Sequence, residues 1–207
     1  MIRQRGRLYT KNLVPGQSVY DERLMKKGKI EYREWDARRS KLGAGIKKGL
    51  KNPIDKNTKI LYLGASSGTT VSHVSDMAFN GRVYAVEFAP EPMKSLVMLA
   101  KKRQNIIPIF ADANHPENYP IEKVDVVFQD VAQKNQVGIF EKNCKAYLKK
   151  NGTGLLVIKA RSIDVTKRPS IVFKQVEKEL KQKFRLLKSK RLEPFEKDHK
   201  IYVLKMK

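Results

Sequence analysis

The sequence predicts an α/β fold: a mostly parallel sheet of seven strands with an antiparallel edge, preceded by a small β-rich unit. From residue 58 onward, short apolar runs alternate with helical segments, the pattern of a parallel sheet that helices cover on both faces. The last two apolar runs are joined by a loop too short for a crossover helix, which predicts the antiparallel edge. Residues 1–35 contain β-type runs broken by Gly and Pro, without a helical period, which predicts the separate β-rich unit.

The predicted elements follow in chain order. In the first unit the β-type runs are 8–10, 18–20 and 30–32, and Ser40 is the predicted N-cap of a helix through residue 49. We therefore place a small N-terminal domain at residues 1–50 and the main domain at residues 51–207. The main-domain strands are predicted at 59–63, 82–87, 106–110, 124–128, 155–158, 184–188 and 201–204. Helices are predicted at 69–79, from Pro90 with an apolar face of Met93, Leu96, Val97 and Ala100, around 137–148, and at 170–181.

The charge of the chain favours a polyanionic partner. The 44 Lys and Arg against 21 Asp and Glu give a formal net charge of +23. Residues 55–130 carry 8 basic and 9 acidic side chains, net −1, so the excess lies in the segments before and after them. Lys-rich surfaces of heat-adapted proteins are usually balanced by Glu, and this one is not. Nucleic acid is therefore favoured over a merely solvated surface.

Other compositional features exclude whole classes of protein. The chain has no run of 18 apolar residues and no apolar stretch after its first basic residues, so neither a membrane span nor a secretory signal is expected. A single cysteine, Cys144, forms no internal disulfide and cannot build a Cys-based metal cage. We expect a cytoplasmic protein with no metal site and no membrane partner.

A glycine-rich turn, GASSG at residues 64–68, follows the first main-domain strand and opens a helix. A phosphate loop for nucleotide hydrolysis needs a Lys after the last Gly, and Thr69 stands there. The dinucleotide fingerprint needs a second Gly where the pyrophosphate approaches, and Ser66 stands there, which disfavours NAD and FAD. The turn also matches the nucleophile elbow of hydrolases, with Asp130 and His199 as its acid and base. No oxyanion-hole segment of the hydrolase type accompanies it.

S-adenosylmethionine suits the same turn. It has no pyrophosphate, so one Gly for the turn and one for the close approach of the helix suffice. It also needs a carboxylate at the end of the next strand to accept from both ribose hydroxyls, and Glu87 lies there. Phe88 offers a ring for adenine, and Asp112, at the end of the third strand, can accept from the adenine amino group. The near-neutral segment 55–130 suits a sulfonium cation.

These segments together resemble one family, fibrillarin, over essentially the whole chain. The segments that carry the resemblance are WDARRSKL (35–42), YLGASSGTTVSHVSD (62–76), VYAVEF (83–88), QDVAQ (129–133) and IKARSID (158–164). The family consists of S-adenosylmethionine-dependent RNA 2′-O-methyltransferases of box C/D guide ribonucleoproteins, with a class I methyltransferase fold. The chain lacks the Gly/Arg-rich tail of eukaryotic members, so the resemblance is to archaeal-type members.

The resemblance also implies the site residues. Added to the turn residues Gly64, Ala65, Ser66 and Gly68, the expected cofactor contacts are Thr69, Thr70, Glu87, Phe88, Asp112, Ala113, Asp130, Val131, Ala132 and Gln133. The expected catalytic group is Lys41, Asp130, Lys159 and His199.

A ribose 2′-hydroxyl is a weak nucleophile, so the enzyme must align it with the methyl group and help remove its proton. Asp130 and Lys159 end strands that are neighbours in this fold, so we expect both at the carboxyl edge of the sheet. Lys159 is expected to contact the hydroxyl, as base or as orienter, with Asp130 holding its ammonium group. Lys41 would supply a like charge that lowers the pKa of Lys159 and Asp130 an opposite charge that raises it, and both outcomes are open. For His199, catalysis and a supporting hydrogen bond are both open.

The resemblance implies four partners: a box C/D guide RNA, its target rRNA or tRNA, a Nop-domain scaffold protein, and a kink-turn-binding protein of the L7-like ribosomal type. Basic residues of the flanks, among them Arg161, Lys167 and Arg168, are expected to contact RNA phosphates. Nothing in the chain resembles an RRM or KH module, which favours sequence recognition by a guide. The alternatives are a stand-alone RNA or protein methyltransferase and a non-catalytic RNA-binding subunit.

Overall fold

The structure is a computed structural model that describes residues 1–207. Its strands are β1 (Ile2–Gln4), β2 (Arg7–Lys11), β3 (Leu24–Lys27), β4 (Ile30–Trp35), β5 (Lys59–Leu63), β6 (Arg82–Glu87), β7 (Ile106–Phe110), β8 (Val124–Gln129), β9 (Leu148–Lys159), β10 (Phe184–Arg191) and β11 (His199–Met206). Its helices are α1 (Lys41–Lys47), α2 (Thr69–Met77), α3 (Pro90–Lys102), α4 (Gln136–Tyr147), α5 (Ala160–Ile163) and α6 (Pro169–Lys183). None of these helices has both the length and the apolar character that crossing a bilayer requires.

The main sheet has seven strands in the order β10-β11-β9-β8-β5-β6-β7. Strands β9, β8, β5, β6 and β7 are parallel to one another, whereas β11 pairs antiparallel with both β9 and β10. This confirms the predicted mostly parallel sheet and its antiparallel edge. Because β11 runs the opposite way, its first residue, His199, pairs with Lys159, the last residue of β9. The start of β11 therefore lies at the carboxyl edge of the parallel strands, where α/β proteins bind ligands.

A second sheet, in the order β1-β2-β4-β3, forms the N-terminal unit. The prediction of a small β-rich unit is confirmed, but its strands differ in part. Residues 18–20 form no strand, because the Glu22 carboxylate accepts hydrogen bonds from the amides of Val19 and Tyr20 and bends the backbone into a turn. Strands β1 and β3 are short and mostly polar, so their sequences lack the alternation of apolar and polar residues that predicts a strand.

The apolar face of α3 also differs from the prediction. Met93 and Leu96 are buried as expected, but Leu99 takes the third buried position and Val97 is 40% exposed. The spacing of three residues between the buried side chains turns the face of this helix away from Val97.

The two sheets share one apolar core. Leu8 and Trp35 of the N-terminal sheet, and Leu42 and Ile46 of α1, belong to the same buried cluster as Ile201 of β11. The domain boundary at residue 50 stays a prediction, and the apolar packing is continuous across it. This continuity fixes α1, and with it Lys41, against the main sheet.

The contact between the N-terminal sheet and α2 also contains a fully buried ionic cluster around Asp76. One oxygen of its carboxylate, Oδ2, accepts from Thr10 Oγ1 at 2.7 Å and from Arg33 Nη1 at 3.0 Å. The other oxygen accepts from the amide of Leu13 at 3.0 Å and from Arg103 Nη1. Three segments of the chain thus meet at one carboxylate that no solvent reaches.

His73 lies beside this cluster and is completely buried. Its Nδ1 is 2.7 Å from Thr10 Oγ1, its Nε2 is 2.7 Å from the Tyr20 hydroxyl, and its ring stacks on Trp35 with centroids 5.0 Å apart. Burial, together with the charges of Arg33 and Arg103, lowers the pKa of His73 well below its ordinary value. The folded protein therefore holds this imidazole neutral.

Replacing the central carboxylate tests the ionic cluster. Asp76→Asn leaves the buried guanidinium of Arg103 without its one carboxylate partner and that of Arg33 with Glu22 alone, so we expect the free energy of unfolding to fall by about 3–5 kcal/mol. Asp21→Asn is the matched control, since Asp21 is exposed and its left-handed backbone is one that Asn adopts readily. Urea denaturation should place the control within about 0.5 kcal/mol of the parent. Equal losses in the two variants would show that the buried carboxylate contributes no more to the free energy of unfolding than an exposed one.

The buried His73 also predicts a dependence of stability on pH. Below about pH 6.5 the unfolded chain takes up a proton at this residue and the folded chain does not. The unfolded state then binds more protons, so stability falls as the pH falls below about 6.5, by up to about 1.4 kcal/mol per pH unit. Denaturation between about pH 7.5 and 5.5 should show this slope in the parent and in His115→Gln, whose imidazole is exposed, but a smaller slope in His73→Gln. A parent without the slope would contradict the prediction.

Candidate active site

The glycine-rich turn between β5 and α2 shapes the centre of the carboxyl edge. Gly64 and Gly68 both have left-handed backbones, with φ of +80° and +92°. A Cβ on Gly64 would lie 2.5 Å from the carbonyl oxygen of Asp130, and one on Gly68 would lie 2.4 Å from Leu99 Cδ2. Glycine is therefore required at both ends of the turn, and the turn packs directly on the segment that follows β8.

A cavity of about 250 Å³ opens on one side of this turn. Its lining residues come from the turn, from the ends of β6 and β7, and from the segment after β8: Gly64, Ser66, Val86, Glu87, Phe88, Ala111, Ala113, Asp130, Val131, Ala132 and Gln133. Two of these side chains are carboxylates and none is a Lys or Arg. In a chain of net charge +23, a cavity of this composition suits a cationic ligand.

Glu87 is the buried carboxylate of the cavity. One of its oxygens accepts from the amide of Ser66 at 2.7 Å, and the other accepts from the amides of Phe88 and Ala89 at 3.0 and 2.8 Å. These bonds fix the carboxylate and hold the turn against the end of β6. Oε2 of Glu87 accepts from the Ser66 amide and from no other group, so it has a lone pair available for a ligand hydroxyl. The Phe88 ring beside it is 60% exposed, so an apolar face is free to stack on a flat ligand.

Asp112 lies at the rim of this cavity rather than in its lining. Its carboxylate accepts from the amide and the side chain of Asn114 at 2.9 and 3.0 Å, and these bonds lower its pKa. Asn114 also donates to Gln133 Oε1 at 2.6 Å, so the ends of β7 and β8 are tied together across the cavity. Asp112 is therefore held as an ionised acceptor.

Lys41, Asp130, Glu196 and His199 form a chain of charged and polar groups at the same edge. Lys41 Nζ lies 3.4 Å from Asp130 Oδ2 and 4.0 Å from Glu196 Oε1, and the other oxygen of Glu196 is 4.0 Å from His199 Nδ1. That nitrogen is also 2.6 Å from the carbonyl oxygen of Lys197, which accepts only. The proton of a neutral His199 therefore sits on Nδ1, and Nε2 is left as an acceptor.

The position of Lys41 depends on Ser40. The Ser40 hydroxyl accepts from the amide of Gly43, which caps α1, and from Thr70 Oγ1 at 2.9 Å. The first turn of α1 is thereby tied to the start of α2. This contact holds Lys41 near Asp130, and the two side chains form an ion pair. The sequence predicted that Asp130 holds the ammonium group of Lys159, and that prediction is wrong, because the structure contains no Asp130–Lys159 pair.

Lys159 is exposed and carries no ion pair, although its backbone is fixed. Its amide donates to Gln136 Oε1 at 3.0 Å, and its register partner on the neighbouring strand is His199. Residues directly opposite each other in an antiparallel pair project from the same face of the sheet. The Lys159 ammonium group is therefore free to meet a substrate on the face that carries His199.

The structure does not bring every expected cofactor contact into the cavity lining. Ala65 is buried, Gly68 packs on Leu99, Thr70 is engaged with Ser40, and Thr69 faces the opposite side of the turn. Among the four charged and polar groups that begin at Lys41 and end at His199, Glu196 is the one that the sequence did not predict. Its only sequence signal is an acidic residue three positions before His199, which is too common to single out.

The hydrolase interpretation of the turn is wrong. Ser66 does have a left-handed backbone, with φ of +50°, as an elbow serine would. However, its amide is used by Glu87, its hydroxyl makes no hydrogen bond to His199 or to any other base, and Nδ1 of His199 is directed to the carbonyl of Lys197 rather than to Asp130. The serine therefore has no base to activate it.

Comparison with known proteins gives the family. A sequence model described as Fibrillarin matches residues 1–207. This chain belongs to the fibrillarin family. The fibrillarin-like rRNA/tRNA 2′-O-methyltransferase of Pyrococcus furiosus is 52% identical to it over 203 residues, which are 96% of this chain and 89% of that protein.

Two solved fibrillarin structures extend the comparison. Aeropyrum pernix fibrillarin, in complex with natively bound S-adenosyl-L-methionine, has a TM-score of 0.89 and 46% identity and covers 96% of this chain and 88% of its own. A fibrillarin/Nop5p complex has a TM-score of 0.86 and 43% identity, with 91% and 90% covered. The fold is therefore the class I S-adenosylmethionine-dependent methyltransferase fold that the resemblance implied, with the small N-terminal sheet added.

Glu87→Gln tests the cavity as a cofactor site. The substitution removes the charge and one acceptor from a carboxylate that serves three amides, so we expect S-adenosylmethionine to bind roughly 10- to 100-fold more weakly, as lost charge-assisted hydrogen bonds imply. Isothermal titration calorimetry measures the affinity directly. The control is Glu91→Gln, whose side chain is 84% exposed and pairs only with Lys94. Unchanged affinity in Glu87→Gln would exclude this cavity as the cofactor site.

Proposed function

We propose that this chain transfers a methyl group from S-adenosylmethionine to the 2′-hydroxyl of ribose in rRNA and tRNA, at the carboxyl edge of its main sheet. The enzyme is an S-adenosylmethionine-dependent RNA 2′-O-methyltransferase of the fibrillarin family. The observation that carries the assignment to this edge is the pair of carboxylates, Glu87 and Asp130, in a cavity that no Lys or Arg lines. Lys41, Lys159 and His199 lie at the same edge of the sheet.

The cavity has the groups that the cofactor requires. Glu87 is placed to accept from a ribose hydroxyl, Phe88 to stack on the adenine, and Asp112 to accept from the adenine amino group. Asp130 and the following Val131, Ala132 and Gln133 form the remaining wall, toward the sulfonium. When bound, S-adenosylmethionine supplies the methyl group and a neutral thioether as leaving group.

The catalytic work then falls to Lys41, Asp130, Lys159 and His199. The methyl group passes from sulfur to oxygen in line, so a C–O bond forms as the C–S bond breaks and the hydroxyl loses its proton. The free ammonium of Lys159 orients the 2′-oxygen. Lys41 Nζ lies 3.4 Å from Asp130 Oδ2, which fixes this carboxylate at the cavity wall, where it would face the sulfonium. The acceptor Nε2 of His199, on the face that carries Lys159, is placed to take up the proton.

The chain would work inside a ribonucleoprotein. The fibrillarin/Nop5p complex supports a Nop-domain scaffold as a partner. A box C/D guide RNA and a kink-turn-binding protein of the L7-like type complete the particle in our proposal. The basic flanks of the sequence supply affinity for RNA phosphates, and the guide would supply the choice of nucleotide. We keep the cytoplasm as the expected location.

Lys159→Ala tests the catalytic assignment. Loss of a group that orients or polarises the nucleophile typically lowers the rate about 10²- to 10⁴-fold, and Lys159 lies outside the cavity lining, so cofactor affinity should stay the same. Single-turnover methyl transfer in the assembled particle measures the rate, and calorimetry measures the affinity. Lys150→Ala, an exposed lysine on the same strand, is the matched control. Full activity in Lys159→Ala would remove this residue from the mechanism.

Reconstitution tests the function as a whole. The particle is assembled with guide RNA, scaffold and kink-turn-binding protein, supplied with methyl-labelled S-adenosylmethionine, and the modified ribose is mapped. Label on a single 2′-oxygen that moves when the guide sequence is changed is the expected result. Equal labelling by the protein alone would indicate the stand-alone methyltransferase, and binding of RNA without any label would indicate the non-catalytic subunit.

A further inference from the structure

A second cavity, of about 350 Å³, lies on the other side of the glycine-rich turn. Its walls are residues 14–20 of the N-terminal unit, the start of α2 and the outer face of α3. Its volume falls within the range of about 300–1,000 Å³ that is usual for ligand sites. Of the expected cofactor contacts and catalytic residues, Thr69 alone lines this second cavity.

The charge of this cavity is opposite to that of the cofactor cavity. Arg39, Lys102 and Arg103 line it, and no Asp or Glu does. Arg103 is buried and compensated by Asp76, whereas Arg39 and Lys102 are exposed and have no carboxylate within 4.0 Å. Hydroxyl groups, among them those of Ser67 and Thr69, supply further donors. Such a lining suits an anion with several oxygen atoms.

Arg39 is held in a defined position inside this cavity. Its Nη1 donates to the carbonyl oxygen of Tyr20 at 3.1 Å, and its guanidinium carbon lies 4.8 Å from the centre of the Tyr20 ring. These contacts leave other N–H groups of the guanidinium free, and a guanidinium has the geometry that phosphate recognition uses. The position of this cation is thus set before any ligand binds.

The cavity reaches the edge of the sheet that carries the catalytic cluster. Arg39 precedes Lys41 by two residues, and Ser67 and Thr69 belong to the turn and helix start that separate the two cavities. A polymer whose ribose lies at Lys41 and Asp130 would therefore extend its neighbouring units across Arg39 and along α3 toward Lys102.

We propose that this second cavity binds the phosphate backbone of the target RNA next to the methylated nucleotide. The identification of RNA rests on the proposed function, while the anionic chemistry rests on the cavity itself. RNA is favoured over an acidic protein segment because the nucleotides beside the target ribose are covalently linked to it, and Arg39, two residues before Lys41, lies within reach of them. Phosphate contacts of this kind position a substrate without reading its sequence.

Two matched pairs of variants test the proposal. Lys102→Ala removes a cation that lines the cavity, and Lys101→Ala removes its neighbour, which is also exposed and does not line it. Met98→Glu, at a side chain 56% exposed in the cavity, introduces a repelling charge, and Val97→Glu does the same beside it but outside the lining. All four positions are exposed, so the variants should fold.

The readout is the equilibrium affinity of the full-length protein for a short fluorescent oligoribonucleotide over a range of salt concentrations. We expect Lys102→Ala to weaken binding and to lower the slope of log affinity against log salt by about 0.7, the value for one phosphate contact on a single strand. Met98→Glu should weaken binding severalfold, and both controls should bind like the parent.

Equal effects within each pair would overturn the proposal, because the cavity would then be no better than any basic surface. Intact RNA affinity with weakened binding of the scaffold protein would also overturn it and would assign the cavity to a protein. Because this readout needs no methyl transfer, a failure of the catalytic proposal appears separately, as a parent protein that binds RNA and does not label it in the reconstituted particle.

Discussion

The arrangement of the active edge depends on one buried carboxylate, Asp76. It is near the C-terminus of α2, the end at which a helix dipole disfavours negative charge, and it is removed from water. Two buried guanidinium groups, Arg33 from the N-terminal sheet and Arg103 from the end of α3, offset both penalties. Satisfying this carboxylate therefore requires that the N-terminal sheet, α2 and α3 pack together.

That packing has consequences at the other end of α2. The first turn of this helix carries Thr70, whose hydroxyl reaches Ser40 and so fixes the helix that bears Lys41. The N-terminal unit is thus connected to α2 at both ends, by ions at one end and by a hydroxyl pair at the other. The small sheet therefore holds the helix that bears Lys41 in position and is not an independent appendage.

The glycine-rich turn divides two cavities of opposite charge. Glu87 and Asp130 face the side suited to a sulfonium cation, and Arg39 and Lys102 face the side suited to phosphate. The near-neutral segment in the sequence and the basic segments around it already indicate this separation. The structure shows that the change of sign occurs across a single turn of backbone.

Local patterns were sufficient to predict the main strands and Glu87, because strand periodicity and the residue at a strand end are properties of adjacent positions. The turn at residues 18–20 was misread as a strand because its conformation is set by the Glu22 carboxylate rather than by propensity. Pairings between distant segments could not be predicted, because they depend on how the whole chain folds rather than on adjacent positions. Nothing near Lys41 in the sequence indicates Glu196, and nothing near Asp76 indicates Arg33.

The buried cluster makes the N-terminal sheet and the catalytic edge one cooperative unit. Native-state hydrogen exchange, followed amide by amide, tests it most directly. We predict that the slowest amides of β2 and β4 have the same opening free energy as those of α2 and β5. Exchange of β2 and β4 through a separate opening of lower free energy, while α2 and β5 stay protected, would contradict it.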